Sequence, residues 1–145
     1  MPKKPQMDAA TLLAKTAWAE ARGESDVNSP LGVMFSVLNR QKGHKSGKTL
    51  WSIVTEPNQY SAWNHNDPNR GEITAFGPGH PEFQRYYDMA KGALEGSIAD
   101  PTNGSEWYIT ENLHLKRPPS WVSQLEQAAK LGSHVFFRKP KGTVK

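Results

Sequence analysis

The chain has 145 residues, 36% of them hydrophobic and 22% charged, with five Trp, five Phe and four Tyr; that is one domain's worth of chain with enough apolar material for a core, which excludes a disordered protein. Cysteine is absent, which excludes disulfides, a thiolate nucleophile and cysteine zinc sites. Of the 18 basic side chains behind the net charge of +4, six (Lys3, Lys4, Arg138, Lys139, Lys141 and Lys145) lie at the ends, so residues 7–137 hold the remaining 12 against all 14 acidic ones, and a body of net −2 argues against a nucleic-acid module.

No stretch approaches the ~20 consecutive apolar residues of a membrane span. The basic start MPKKPQ runs into DAATLLAKTAWAE, where Asp8 and Lys15 interrupt any signal-peptide apolar region. The expectation is a cytoplasmic protein with a single unit over residues 7–138 and basic, poorly ordered tails at 1–6 and 139–145. Asp8 caps a first predicted helix from Ala9 to Arg22 that ends at Gly23. Asn28 or Ser29 caps a second, with Pro30 in its first turn and Leu31, Met34, Val37 and Leu38 as the buried stripe to Arg40. QKGHKSGK then reads as a basic loop, and a short helix from Leu50 to Thr55 stops at Pro57.

Between Pro57 and Pro81 the prolines, glycines and asparagines predict a long irregular region, which nevertheless carries Tyr60, Trp63 and Phe76. Pro81 opens a third long helix, with Gly96 just past its end. The turn DPTNG leads to a short strand, Trp107 to Thr110; Ser120 caps a final helix through Leu131; and HVFF, His134 to Phe137, is a second strand. The fold class expected is α+β, mainly α.

Chemistry concentrates in WAEARGES, Trp18 to Ser25. Leu13, Ala17 and Glu20 share a helix face at spacings of four and three. A carboxyl against that apolar surface is held protonated by desolvation, as a general acid requires; a solvated glutamate, or one paired with Arg22 or Arg40, fits the spacing as well. Glu24 follows four residues later, either as a second catalytic carboxylate or as a helix-end acid that holds a loop. Gln59, Tyr60, Ser61, Trp63 and Asn64 have the character of a sugar-binding wall, amides and hydroxyls beside an aromatic plane, while Tyr60 and Trp63 fit a core equally. Tyr108 is similarly divided, Trp107 and Trp121 read as core, and His134 fits either a structural or a site role. No metal-ligand spacing is present, so no metal or cofactor is expected.

EARGES followed by a capped apolar helix ending in LNR resembles the SleB/CwlJ-type cell wall hydrolases, a family of spore cortex-lytic enzymes and related bacteriophage endolysins. The resemblance continues through EPNQYSAWN, ADPTNGSEWY, PPSW and LGSHVFF, and covers roughly residues 10–138 in order. It implies a lysozyme-like catalytic domain that cleaves peptidoglycan glycan strands, with Glu20 as the catalytic acid and Glu24 as a second candidate. It further implies chemistry like that of lytic transglycosylases, in which one glutamate suffices; Glu24, Asp26 and Asp67 remain the carboxylates available to a hydrolytic muramidase. After DPT many relatives read Gly-Gly-Ala and then a His or Tyr pair, whereas this chain has Asn103, Gly104, Ser105, Glu106, Trp107 and Tyr108. The expected setting is a monomeric phage endolysin, kept in the host cytoplasm until released to the periplasm and wall, its basic tails meeting an anionic envelope. A different class, a basic nucleic-acid-binding protein or metal nuclease, is prompted by the pI of 9.4 and by WNHNDPNR; a third is a non-catalytic wall-binding protein.

Overall fold

A computed structural model of the chain describes residues 7–24, 26, 28–43, 48–56, 60–63, 67, 68 and 70–140. The first helix, α1 (Ala9–Ala21), is apolar on nearly every side, so other elements surround it. Leu13, Ala14 and Ala17 are fully buried, and burial of a side chain the size of Leu13 contributes ~1.5–3 kcal/mol. Asp8 caps its start by accepting the Thr11 N–H at 2.9 Å, and its second oxygen accepts the Tyr87 hydroxyl, tying α1 to α5 (Phe83–Glu95). Trp18 stacks on Phe76, ring centroids 4.4 Å apart.

One buried charge belongs to this packing. The Lys15 ammonium donates to the carbonyls of Ile73 and Thr74, both at 2.9 Å, and of Phe76 at 2.7 Å. It thereby caps the C-terminal end of α4 (Arg70–Ala75), a helix inside the region expected to be irregular. The second helix, α2 (Asn28–Gly43), packs on α1 through Val33, Met34 and Val37 and runs three residues past Arg40, into the stretch read as a loop. α3 (Leu50–Val54) follows as expected, and the third long helix starts two residues after Pro81.

The C-terminal part is a three-stranded antiparallel sheet in the order β1-β3-β2, from β1 (Trp107–Thr110), β2 (Glu126–Leu131) and β3 (His134–Arg138). A short helix, α6 (Glu111–Lys116), and a 3-10 turn (Ser120–Gln124) join β1 to β2. The expected helix from Ser120 to Leu131 is therefore a 3-10 turn followed by a strand. Glu126 to Leu131, EQAAKL, consists of good helix formers, but Gly132 in the left-handed conformation (φ 59°) folds it back onto β3, where Glu126 meets Arg138 at 2.7 Å. Pairing with a buried strand overrides local propensity here. The sheet lies directly on α2: a Cβ at Gly32 would stand 2.5 Å from the Phe136 ring. Its other face carries a small apolar cluster, Ile109, Val135 and Phe137 with Trp107, Trp121, Val122 and Leu125. The fold is mainly helical α+β, as expected.

Candidate active site

Glu20 lies in the last turn of α1 and Tyr108 on β1, and packing of the sheet on the helices brings them together across 88 positions of sequence. The Tyr108 hydroxyl donates to Glu20 Oε1 at 2.5 Å. Burial raises the Glu20 pKa, the Tyr108 hydrogen bond lowers it, and the nearby Asp67 charge raises it; the balance lies above the ordinary glutamate value of 4.5. Burial and the Glu20 charge push the Tyr108 phenol well above 10. Tyr108 therefore keeps its proton and acts as a fixed donor, while Glu20 is a desolvated carboxyl that holds its proton to higher pH than an ordinary glutamate does. The solvated alternative for Glu20 is set aside by this geometry.

His134, first residue of β3, packs edge-on to Tyr108 at 5.2 Å. It is buried, Nδ1 has no hydrogen-bond partner among the described residues, and burial lowers its pKa, partly opposed by Glu24. A neutral imidazole beside the Glu20–Tyr108 pair follows.

Glu24 is committed elsewhere. Its carboxylate accepts the Ser133 N–H at 2.7 Å and, through the other oxygen, the Ser133 hydroxyl. These bonds hold its pKa below the usual value. Asp26 accepts the Gly132 N–H at 3.2 Å, and the Ser29 hydroxyl donates to the Leu131 carbonyl at 3.0 Å. Together they clamp the β2–β3 turn against the α1–α2 connection. Glu24 thus seats the residue before His134, and its observed bonds go to that turn.

A cavity of about 750 Å³ opens at Glu20, lined also by Arg40, Trp107, Tyr108, Ile109, Thr110, Leu113, Pro119, Trp121, Gln124, Leu125 and His134. Tyr60 and Trp63, expected as a sugar wall, are instead core residues, each 2% exposed. The Tyr60 hydroxyl bonds Ser36 Oγ at 2.9 Å, and the Trp63 indole donates to Thr16 Oγ1 at 2.8 Å. Gln59 and Asn64, and the side chain of Ser61, lie outside the described residues. Trp107 and Trp121 correct the sequence reading in the opposite direction: they belong to the cavity wall as well as to the small apolar cluster. Arg40 was read as the end of the second helix and as one possible partner of Glu20. Its guanidinium turns inward, donates to the Glu106 carbonyl at 2.7 and 3.0 Å, and lies 3.6 Å from Glu56. The signal was its spacing, three residues after Val37 and seven after Val33, which puts a charge on the buried face of α2.

A small, mainly helical enzyme domain with one desolvated carboxyl acid at the end of an apolar-walled cleft is the class that fold and site define. A family model described as Cell Wall Hydrolase matches residues 24–137, and the chain belongs to that family. Glu20 precedes the matched stretch, so its place in the site comes from the fold. The structure is similar to the catalytic domain of the germination-specific lytic transglycosylase SleB from Bacillus anthracis, with TM-score 0.68 and 21% identity over 95% of this chain and 100% of that one. It is similar also to the catalytic domain of the Bacillus cereus SleB protein, with TM-score 0.70 and 22% identity over 95% of each chain. No curated protein matches the sequence.

Proposed function

We propose that the protein cleaves the bond between N-acetylmuramic acid and N-acetylglucosamine in peptidoglycan as a lytic transglycosylase, with Glu20 as acid and then base. The observation that carries this reading is the raised, desolvated Glu20 carboxyl held by a phenol that stays protonated. Glu20 gives its proton to the glycosidic oxygen as the bond from the muramic acid C1 breaks, with positive charge building at C1. The C6 hydroxyl of the same sugar then attacks C1, its proton passes to the Glu20 carboxylate, and a 1,6-anhydro end results. Water is not consumed, and the acid is regenerated for the next turnover. Tyr108 fixes the carboxyl's orientation, and the His134 ring packs edge-on against Tyr108 and helps hold it in place.

A hydrolytic muramidase is the second reading, and Asp67 favours it, because that is the carboxylate whose charge Glu20 feels most. The cellular setting we propose is a phage lysin, monomeric and without a cofactor, held in the host cytoplasm until released to the wall. Its catalytic unit is residues 7–138, with the basic ends as envelope contacts. Digestion of purified peptidoglycan in EDTA, followed by mass analysis of the soluble fragments, tests the reaction. Anhydro ends, one water lighter than reducing ends, are expected; reducing ends would move the assignment to a hydrolase, and a strict metal requirement would overturn both. Glu20→Gln is expected to fold and bind wall but to lose ~10³–10⁴-fold in turnover, since one group serves both proton transfers.

A further inference from the structure

Besides Glu20, Arg40, Tyr108 and His134, the cavity is lined by the rest of β1 and by residues between 113 and 125. From Glu20 it follows β1, which is an edge strand, paired only with β3. The Glu111 N–H donates to the Ser133 carbonyl at 2.7 Å, while Ile109 and Trp107 stand opposite Val135 and Phe137. Antiparallel alternation therefore turns the backbone groups of Ile109 and Trp107 toward β3, and those of Tyr108 and Thr110 toward the open edge. Among the described residues no element pairs with that edge. Across from it the wall is apolar: Leu113, Pro119, Trp121 and Leu125, with Gln124 and Thr110 as its polar side chains.

Trp121 suits the CH face of a sugar ring, but Leu113, Pro119 and Leu125 offer only apolar surface, which matches methyl groups better than the hydroxyls at a ring's edge. Such a wall matches a ligand that alternates amides with methyl groups. Muramic acid carries one at O3, the lactyl ether joined through an amide to the first alanine of the peptide stem. Because this branch grows from the very sugar whose C1 bond is broken, it starts at the Glu20 end of the cavity. An extended peptide beside an unpaired strand gains main-chain hydrogen bonds from the edge and places its side groups in the wall.

We propose that the arm of the cavity between the β1 edge and Trp121 binds the lactyl-peptide branch of the muramic acid residue at the cleavage point. The Tyr108 N–H and C=O and the Thr110 N–H pair with the branch amides, the Thr110 carbonyl being engaged as the N-cap of α6, and Leu113, Trp121 and Leu125 cover its methyl groups. This rests on the muramic-bond reading of the site and adds a stem-peptide requirement to it.

The test compares kcat/KM on glycan strands of one wall preparation, with stems intact and with stems removed by an amidase that cuts at the lactyl amide. The native chain should prefer stem-bearing strands by roughly tenfold or more, the scale on which a pocket discriminates one or two apolar groups. In Leu113→Glu, at an exposed position where folding tolerates a charge, the ratio between the two substrates should fall toward one, and in Trp121→Ala likewise. Equal rates for the native chain would assign the arm to the N-acetyl groups, which both strands keep, and overturn the branch site alone. An unchanged ratio in both variants would also overturn it. Failure of the folded native chain to cut either strand would overturn the glycosidase reading together with it.

Discussion

The pKa of Glu20 is the sum of opposed influences, and single substitutions separate them. The protonated form is the active acid, so kcat/KM falls as pH rises through the Glu20 pKa, and this alkaline limb lies above the ordinary 4.5. Tyr108→Phe removes a bond that favours the carboxylate, so the limb should move to higher pH. Asp67→Asn removes a like charge and should move it to lower pH. Opposite shifts in the two pH–rate profiles are the expected result; shifts of the same sign would refute the assignment of these neighbours. Glu24 titrates the other way. Its pKa is lowered, so its clamp on Ser133 contributes stability above the ordinary 4.5 and loses it as pH falls through the lowered native value. Glu24→Gln keeps one acceptor, and should cost about 1 kcal/mol in denaturant unfolding while leaving the type of product unchanged. Loss of activity as severe as in Glu20→Gln would instead make Glu24 a catalytic carboxylate. At this scale the helix spacing of Leu13, Ala17 and Glu20 put the carboxyl on the apolar face, while the resemblance carried by EARGES was what singled it out as the proposed acid. Which aromatics are walls and which are core was not legible, because Tyr60 and Trp63 differ from Trp107 and Trp121 only in tertiary surroundings.

Among the elements, α4 depends most plainly on one distant side chain. Its last carbonyls end in the Lys15 ammonium, for which three hydrogen bonds offset the desolvation of a buried cation. Lys15→Met keeps an unbranched apolar stem, shorter by the terminal nitrogen, and strands those carbonyls. It should therefore cost about 2–3 kcal/mol in urea unfolding, the scale of a buried polar group left unpaired. A stability within 0.5 kcal/mol of native, roughly the range of an ordinary surface substitution, would show that the cap is dispensable. α1, with its Asp8 cap and apolar stripe, and α2, with its stripe, could be read within a residue or three of their bounds, although Asn28 and Ser29, expected to cap α2, lie inside it and the Ser29 hydroxyl goes to the Leu131 carbonyl instead. α4 could not, since one buried residue, Ile73, and an external cation define it. Nor could β2, whose composition favours helix and whose strand state exists only against β3. In both cases the deciding partner is far away in sequence.

For the molecule as a whole, the charge distribution predicts that catalysis and attachment can be separated. Outside residues 7–138 the chain carries five cations, Lys3, Lys4, Lys139, Lys141 and Lys145, because Arg138 belongs to β3 and pairs with Glu126, beside a body of net −1; exposed charges act over a Debye length of ~8 Å at physiological ionic strength. Removal of residues 1–5 and 139–145 should leave cleavage of purified peptidoglycan nearly intact and weaken sedimentation with anionic envelopes at low salt. If the truncated chain no longer cuts purified wall, the ends belong to the fold or the site.

The 88 positions that separate Glu20 from Tyr108 also set when the enzyme becomes an enzyme. Helices form through local contacts and early, whereas a sheet whose turn is held by residues 106 and 109 positions away docks late. Until that docking, Glu20 is an ordinary solvated carboxylate at a helix end, ionised at neutral pH and unable to protonate a sugar. Under the proposed function, a chain whose sheet has not docked should therefore be inert toward the wall.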